Sequence, residues 1–508
     1  MRRTIRFAID HAASTSPDAP ALVFEGRTYT NQELRSAALI RLGAIQRRNV
    51  DRGLPVLVML NNTDEAVITW LALALGGYTE VPVNTAVVGE TLAHLCTDSG
   101  ATTIITEAEF VERLPKVAAG RVLDVLLIPA TGSADASDGR LLIDDVGRPG
   151  APVARGEMDL AAVMYTSGTT GPSKGAQLTE RHAFTYAESV AQILDLQRGD
   201  VYYAPLPLFH IAGRWAVVYA SLQRGACTVL VRRFSISSFW RDVRHNDVTV
   251  TFLLGAMAQF LLNGAPSPED ATNPLERVLM VPLIEGLDEF RSRFGVRVVT
   301  CFASTEANVP LASGWDVGVE DGAGQPRPGF TLRLVDEAGV DVAPGQRGEL
   351  LVATDEEGMY LTGYINNPEA TAHALADGWL HTGDVFVCDR HGRYHFVDRL
   401  KDALRKRGEN ISSFEVEREV RSHPAVLECA VVGIASEHSE EDVVAFVELD
   451  PDIDSVSAQD IRDHVRARAP KFLVPDHVFF VSAFPLTPTG KIQKFELREE
   501  ARRRASLS

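Results

Sequence analysis

Apolar positions in the first third of the chain fall into short runs separated by longer amphipathic stretches. LPVLVML (54–60) reads as a buried strand. TDEAVITWLALALGG (63–77) reads as a helix, with Thr63 as its cap and Gly76 and Gly77 as its stop. YTEVPV (78–83) is then strand, VGETLAHLCTDSG (88–100) helix and TTIITE (102–107) strand. This βαβαβ order predicts a mostly parallel sheet with helices on both faces. The alternation returns with a helix near 180–195 and strands at CTVLV (227–231) and VTVTFLL (248–254). The stretch 328–353 alternates and turns at Gly, which predicts antiparallel strands.

From about residue 400 the pattern restarts as a compact α/β unit. A helix is expected at 413–422, capped by a box of Ser412 and Glu415. Strands follow at 425–435, 443–450 and 478–484, with a helix from about 457 to 469 between the last two. The expected fold class is therefore α/β. A large N-terminal domain (1–400) has mostly parallel sheets, flanking helices and a small antiparallel β part, and a small α/β domain (401–508) follows. The Ser/Asp/Gly run at 131–140 and the segment 398–402 are the expected linkers.

Composition narrows the function classes. With 508 residues, 45% of them hydrophobic, the chain can bury a large core in two to four domains. No apolar run reaches the roughly 18 residues of a membrane span, and the start reads as no signal peptide. The five Cys stand far apart, which fits reduced thiols in a cytoplasmic protein and argues against a zinc site or disulfide framework. A net charge of −18 disfavours nucleic acid as a partner but leaves room for a small phosphate ligand in a local basic pocket.

The chemistry gathers at YTSGTTGPSKG (165–175), which leaves the apolar run AAVM (161–164). Gly lets backbone N–H groups converge on anionic oxygens, Ser and Thr add donors, and Lys174 adds a mobile charge. The loop suits a triphosphate. It is not a P-loop, because Lys174 lies between Ser173 and Gly175 and no helix clearly opens on it. On composition alone, a surface loop of turn formers fits equally well.

The order of residues closely resembles the signature loop of the adenylate-forming superfamily, which includes acyl-CoA synthetases, peptide-synthetase adenylation domains and beetle luciferases. Other segments match in the family's order over nearly the whole chain: YAPLPLFHIAGR (203–214), CFASTEAN (301–308), GELLV (348–352), GYINNPEAT (363–371), WLHTGDVF (379–386), VDRLKDALRKRGENIS (397–412) and PLTPTGKIQK (485–494). The resemblance implies a small, mobile C-terminal domain on a hinge at Lys401. It also implies a two-step reaction. A carboxylate attacks the α-phosphate of ATP, giving acyl-AMP and pyrophosphate, and a thiol, usually that of CoA, then displaces AMP.

Residue by residue, Lys491 matches the catalytic lysine, Glu306 the magnesium-binding acid and Thr305 an α-phosphate contact. Thr166, Ser167, Gly168, Thr169, Thr170 and Lys174 match the ATP loop, Phe302 the adenine neighbour, and Asp384 and Arg399 the ribose contacts. Gly408, Glu409 and Asn410 match the turn lining the CoA tunnel. Within the basic segment 399–407, a CoA phosphate contact and a solvated helix face both remain open.

The acid pocket is expected at His210, Pro282 and Leu283, although a core histidine is an alternative role for His210. No other histidine is set apart by position. Relatives usually carry a Gly-Gly-Ala type turn where this chain has Val281, Pro282 and Leu283, and Gly where it has Ala303. Bulkier residues in that turn would shrink or reshape the pocket. The last part of the chain looks most like the carnitine/crotonobetaine-CoA ligase branch.

The leading expectation is an ATP- and Mg2+-dependent acid:CoA ligase, monomeric or homodimeric, acting on a small-molecule acid without nucleic-acid or integral membrane association. The alternative is an adenylating enzyme with another acceptor, a carrier-protein thiol or an amine, including nitrite activation for diazotization of an aryl amine. A silent nucleotide-binding protein is disfavoured because Lys174, Glu306, Asp384, Arg399 and Lys491 are all present.

Overall fold

The computed structural model describes residues 3–118, 120–128, 141–142, 147–166, 173–399, 404–406, 409–411, 413–436, 441–450, 456–469, 471–486 and 492–505. The chain divides into two compact units, one built from 1–167, 172–332 and 352–381, the other from 333–351 and 382–508.

The first unit holds two large sheets. One has eight strands in the order Gly363–Tyr364, Lys174–Thr179, Leu160–Thr166, Glu80–Pro82, Val56–Met59, Thr103–Glu107, Asp124–Ile128, Leu141–Leu142. From Leu160–Thr166 onward its neighbours are parallel, as the βαβαβ pattern predicts. Lys174–Thr179 and Gly363–Tyr364 extend it antiparallel at one edge.

The other sheet has seven strands. Arg297–Val299, Arg277–Val281, Val250–Leu254 and Val201–Ala204 lie side by side and parallel. Helices Ile236–His245, Gly255–Asn263 and Leu287–Phe294 pack on it through Phe239, Val243, Leu261, Phe290 and Phe294.

Local chemistry explains the elements. Helix Asp64–Gly76 starts where the Thr63 hydroxyl accepts from the Ala66 N–H and stops at Gly77, which is left-handed at φ 75°. Twelve of its residues are buried, so the helix is apolar on every side. Gly76 is required there, since a Cβ would lie 2.4 Å from the Leu42 side chain. Helix Gly89–Asp98 turns Leu92, Leu95 and Cys96 onto Leu57, Val81, Ile104 and Val163 of the first sheet. Its polar side is thereby left beside Tyr165 and Ser173.

The second unit contains Val426–Ala435, Glu441–Leu449 and His477–Val481 as a three-stranded sheet. Its alternate residues face opposite ways and both faces are covered. Helices Ser413–Arg421 and Ala458–Arg468 cover Cys429, Val431 and Ala445, while Leu497 and Ala501 of helix Lys494–Ala505 cover Ala430, Val432 and Phe446. Double burial is why the strand 426–435 reads as one apolar run. Among the described residues, no helix is long and apolar enough to cross a membrane.

Candidate active site

Strands Leu160–Thr166 and Lys174–Thr179 form a hairpin whose last paired residues are Thr166 and Lys174. The glycine-rich loop thus joins two antiparallel strands, whereas a P-loop would lead from a strand into a helix. Gly363–Tyr364 is the third strand, with Tyr364 opposite Ala176. Tyr364 is therefore the diagonal neighbour of Lys174 on one face, within reach of a long side chain. The Lys174 ammonium lies over the Tyr364 ring, 5.0 Å from its centre.

Glu306 comes from a tight turn between strands Cys301–Ser304 and Asn308–Ala312. Asn308 has φ 67°, and its side-chain amide donates to the carbonyls of His182 (3.1 Å) and Met359 (2.9 Å), fixing the turn. The half-buried Glu306 carboxylate accepts on Oε1 from the Thr166 hydroxyl at 2.8 Å and the Tyr364 hydroxyl at 3.3 Å. The predicted residues Thr166, Lys174 and Glu306 are thus brought together. Thr305 is buried beside Glu306 in sequence, and Phe302 is half-buried on the preceding strand. Ala303 lies within that strand at ordinary backbone angles, so alanine fits where relatives carry Gly.

The carboxyl ends of the parallel strands 201–204, 250–254, 277–281 and 297–299 point the same way. Segments that continue beyond such ends form the usual binding crevice of a parallel sheet. His210, Gly255, Pro282, Leu283, Phe302 and Thr305 all lie on these continuations. The His210 Nδ1 accepts from the Ala212 N–H at 3.2 Å, at the start of the π-helical turn Ala212–Tyr219. That acceptor role puts the proton of the neutral ring on Nε2. Pro282 is exposed, while Leu283 packs on the core of the seven-stranded sheet. The turn lies so close to Gly255 that a Cβ there would sit 2.8 Å from the Pro282 carbonyl oxygen.

The family model described as AMP-binding enzyme matches residues 9–364, and that of the AMP-binding enzyme C-terminal domain matches 415–491. The chain belongs to the AMP-binding enzyme family. It is 32% identical to a feruloyl-CoA synthase of Amycolatopsis sp., over 96% of each chain. It is 28% identical to a crotonobetaine/carnitine–CoA ligase of Salmonella paratyphi A, over 98% of this chain and 99% of the other. It superposes with a TM-score of 0.84 on the o-succinylbenzoate CoA synthetase of Bacillus subtilis in complex with an acyl-adenylate intermediate, at 26% identity and 97% coverage of both chains. Membership bears out the resemblance read from the motifs.

The family description names a nucleotide, and the residues beside the loop stem are of a kind that would also suit a magnesium ion on it. Magnesium takes hard oxygen ligands and usually rests on one or two carboxylates plus phosphates. Glu306 supplies a partly exposed carboxylate anchored by hydroxyls. Among the described residues, no group of three or more His, Cys, Asp and Glu forms an all-protein cage.

Three residues of this AMP-binding enzyme's loop region escaped the sequence reading. His94 Nε2 donates to the Ser173 carbonyl at 2.9 Å. Asp98 Oδ2 accepts from the Tyr165 hydroxyl at 2.7 Å, and burial followed by this bond holds the Tyr165 phenol far above its ordinary range. Spaced i and i+4, His94 and Asp98 share one helix face and bind both stems of the loop. That spacing was the available signal. Tyr364 lies inside a motif that was noticed, but nothing local in the sequence told that its ring would meet Lys174.

In the second unit, Asp384 and Arg399 are cross-strand partners on Trp379–Cys388 and Tyr394–Arg399. Arg399 Nε lies 2.7 Å from Asp384 Oδ1, and the carboxylate is buried while the guanidinium is half exposed. Gly383, at φ 68°, donates its N–H to Glu349 at 3.0 Å and sets the strand's entry to Asp384. Glu409 and Asn410 have backbone in the short strand Glu409–Ile411, paired with Leu404–Lys406. Ser167, Gly168, Thr169, Thr170, Lys401, Gly408, Ser412, Lys491 and the 131–140 linker lie outside the described residues.

Proposed function

We propose that this AMP-binding enzyme activates a small-molecule acid as an acyl-AMP with release of pyrophosphate, then transfers the acyl group to CoA as a thioester. The observation that carries the reading is the grouping of a loop lysine, a hydroxyl-anchored carboxylate and the stem threonine at the mouth of one hairpin. Charge grows on the α-phosphate and pyrophosphate during the first step, so catalysis there is positioning plus cations. Lys174 and residues 166–170 would hold the phosphates, Thr305 the α-phosphate, Phe302 the adenine, and Asp384 with Arg399 the ribose. Lys491 would touch the carboxylate and α-phosphate. Magnesium on Glu306 would neutralise charge on the departing pyrophosphate.

The acid would lie among His210, Pro282 and Leu283. CoA would pass Gly408, Glu409 and Asn410 after the small domain (401–508) turns about Lys401. The reading places the enzyme in the cytoplasm, in keeping with its five unpaired cysteines, as a monomer or homodimer.

The test is pyrophosphate release with ATP and magnesium across aliphatic acids, aryl acids, and nitrite plus an aryl amine, each with and without CoA. Release that needs a carboxylic acid and turns over only with CoA is expected. Release driven by nitrite and indifferent to CoA would replace the thioester with diazotization. Lys491→Ala should abolish adenylation yet leave thioester formation from supplied acyl-AMP.

A further inference from the structure

Lys174 and Glu306 carry opposite charges at one small site. A direct ion pair between them would weaken both, because the ammonium would lose reach toward phosphate and the carboxylate toward a metal. Among the described residues, no ion pair joins them. Thr166 meets Lys174 through the strand pairing, and Tyr364 meets both side chains: its ring lies under the ammonium, 5.0 Å away, and its hydroxyl binds Glu306 Oε1 at 3.3 Å. The Thr166 hydroxyl lands on the same oxygen, so both bonds fall on Oε1. Tyr364 is itself fixed from behind. Its N–H donates to the Thr371 hydroxyl at 2.9 Å, and that hydroxyl donates to the Asn367 carbonyl at 2.9 Å. The strand pairing with Ala176 sets its height along the hairpin.

We propose, resting on the nucleotide-site reading above, that Tyr364 is a positioning residue that keeps the loop lysine and the metal-side carboxylate apart and aimed. The ring face holds the cation at the end of the hairpin without discharging it. The hydroxyl turns the carboxylate so that its second oxygen is presented.

The ring and the hydroxyl can be separated by substitution. Tyr364→Phe keeps the face and loses the hydroxyl, whereas Tyr364→Leu loses both. Calorimetric binding of ATP in excess chelator reads the lysine alone, and a magnesium titration of ATP binding reads the carboxylate. In Tyr364→Leu the freed ammonium collapses onto Glu306, so affinity for metal-free ATP should fall about tenfold. In a Glu306→Gln background the same substitution should cost less than about threefold, because no carboxylate is left to capture the lysine. Tyr364→Phe should bind metal-free ATP as the wild type does but need about three to ten times more magnesium for half-maximal effect.

Equal losses in both backgrounds would make Tyr364 merely structural and overturn the proposal, as would an unchanged magnesium requirement in Tyr364→Phe. Should Tyr364→Leu fail to fold, the magnesium titration of Tyr364→Phe decides alone. A wild-type protein that binds no ATP would sink the nucleotide-site reading and this proposal together, an outcome distinct from either of the others.

Discussion

Two lysines of this chain sit near a carboxylate and a hydroxyl, and the fold uses them in opposite ways. In the second unit, Lys494 Nζ binds Glu417 Oε1 at 2.8 Å and Ser413 Oγ at 2.6 Å. Ser413 donates from its backbone and hydroxyl to Asp398 Oδ2, at 2.6 and 2.8 Å. Glu417 also accepts from the Val431 N–H at 2.8 Å. Asp398, Ser413 and Glu417 are buried, and burial pushes Glu417 upward while Lys494 pulls it back. In the first unit Lys174 rests on a ring and Glu306 takes hydroxyls, all four groups half-buried. A buried charge needs its counter-charge because desolvation is costly. A partly wet charge can stay uncommitted at small cost, which is what a site for a charged ligand requires.

The contrast breaks most sharply on stability. Lys494→Ala leaves Glu417 buried without its ammonium and should cost about 3–5 kcal/mol. Lys174→Ala should stay within about 0.5 kcal/mol of wild type. Denaturant unfolding of both variants measures this. Similar costs for the two would mean that the loop lysine is as structural as Lys494.

Activity should invert that order for the first unit. Lys174→Ala is expected to slow ATP-dependent pyrophosphate release by about a hundredfold, the scale for losing one aimed charge-stabilising group. A rate within a few-fold of wild type, measured at saturating magnesium and ATP, would remove Lys174 from the phosphate site.

The difference between the units also explains what could be read in advance. The strand at Val426–Ala435 and the helix Asp64–Gly76 were legible because burial on every side writes itself as an apolar run with capped ends. The first and last helices were not. Ile5–Thr15 carries a basic lead-in, and among the described side chains of Lys494–Ala505 it is Leu497 and Ala501 that are buried, beneath a charged surface. The loop and Glu306 were legible as motif positions. The partners His94, Asp98 and Tyr364 were not, because they reach the loop from a helix and an edge strand far off in sequence. Likewise the bulky turn at Val281, Pro282 and Leu283 was expected to reshape the pocket, and the fold sends Leu283 into the sheet's core packing while leaving Pro282 exposed.

A third carboxylate sharpens the comparison through pH. Glu180 is fully buried, accepts from the Ile5 N–H at 2.8 Å, and has its nearest cation, Arg155, at 3.8 Å. Burial pushes it up to about 7, only partly offset by the Ile5 bond and Arg155. Between its ordinary 4.5 and that value, the folded state holds a proton that the unfolded state lacks. The stability that this group contributes is therefore fully present below about 4.5 and falls as pH rises to 7, by on the order of 3 kcal/mol. Glu180→Gln keeps an acceptor for Ile5 and should flatten that slope between pH 5 and 7.5. An unchanged slope would show that Glu180 is ionised in the fold, and that a buried carboxylate here can do without a close cation.

The smallest expected effect tests whether Glu306 is a shared hub. Thr166→Val removes one of the two hydroxyls on Oε1, a loss of about 1 kcal/mol, or roughly three- to tenfold in the magnesium needed for ATP binding. The loss is limited because the Tyr364 hydroxyl still holds the same oxygen. In the Tyr364→Phe background that support is gone, and Thr166→Val then leaves the carboxylate without either donor and free to swing. The same substitution should therefore cost more there, a non-additivity expected of groups that share one partner atom. Equal costs in the two backgrounds would mean that the hydroxyls act independently. Glu306 would then be aimed chiefly by its turn, through Asn308, with each hydroxyl adding its own separate increment rather than the two sharing one hold on Oε1.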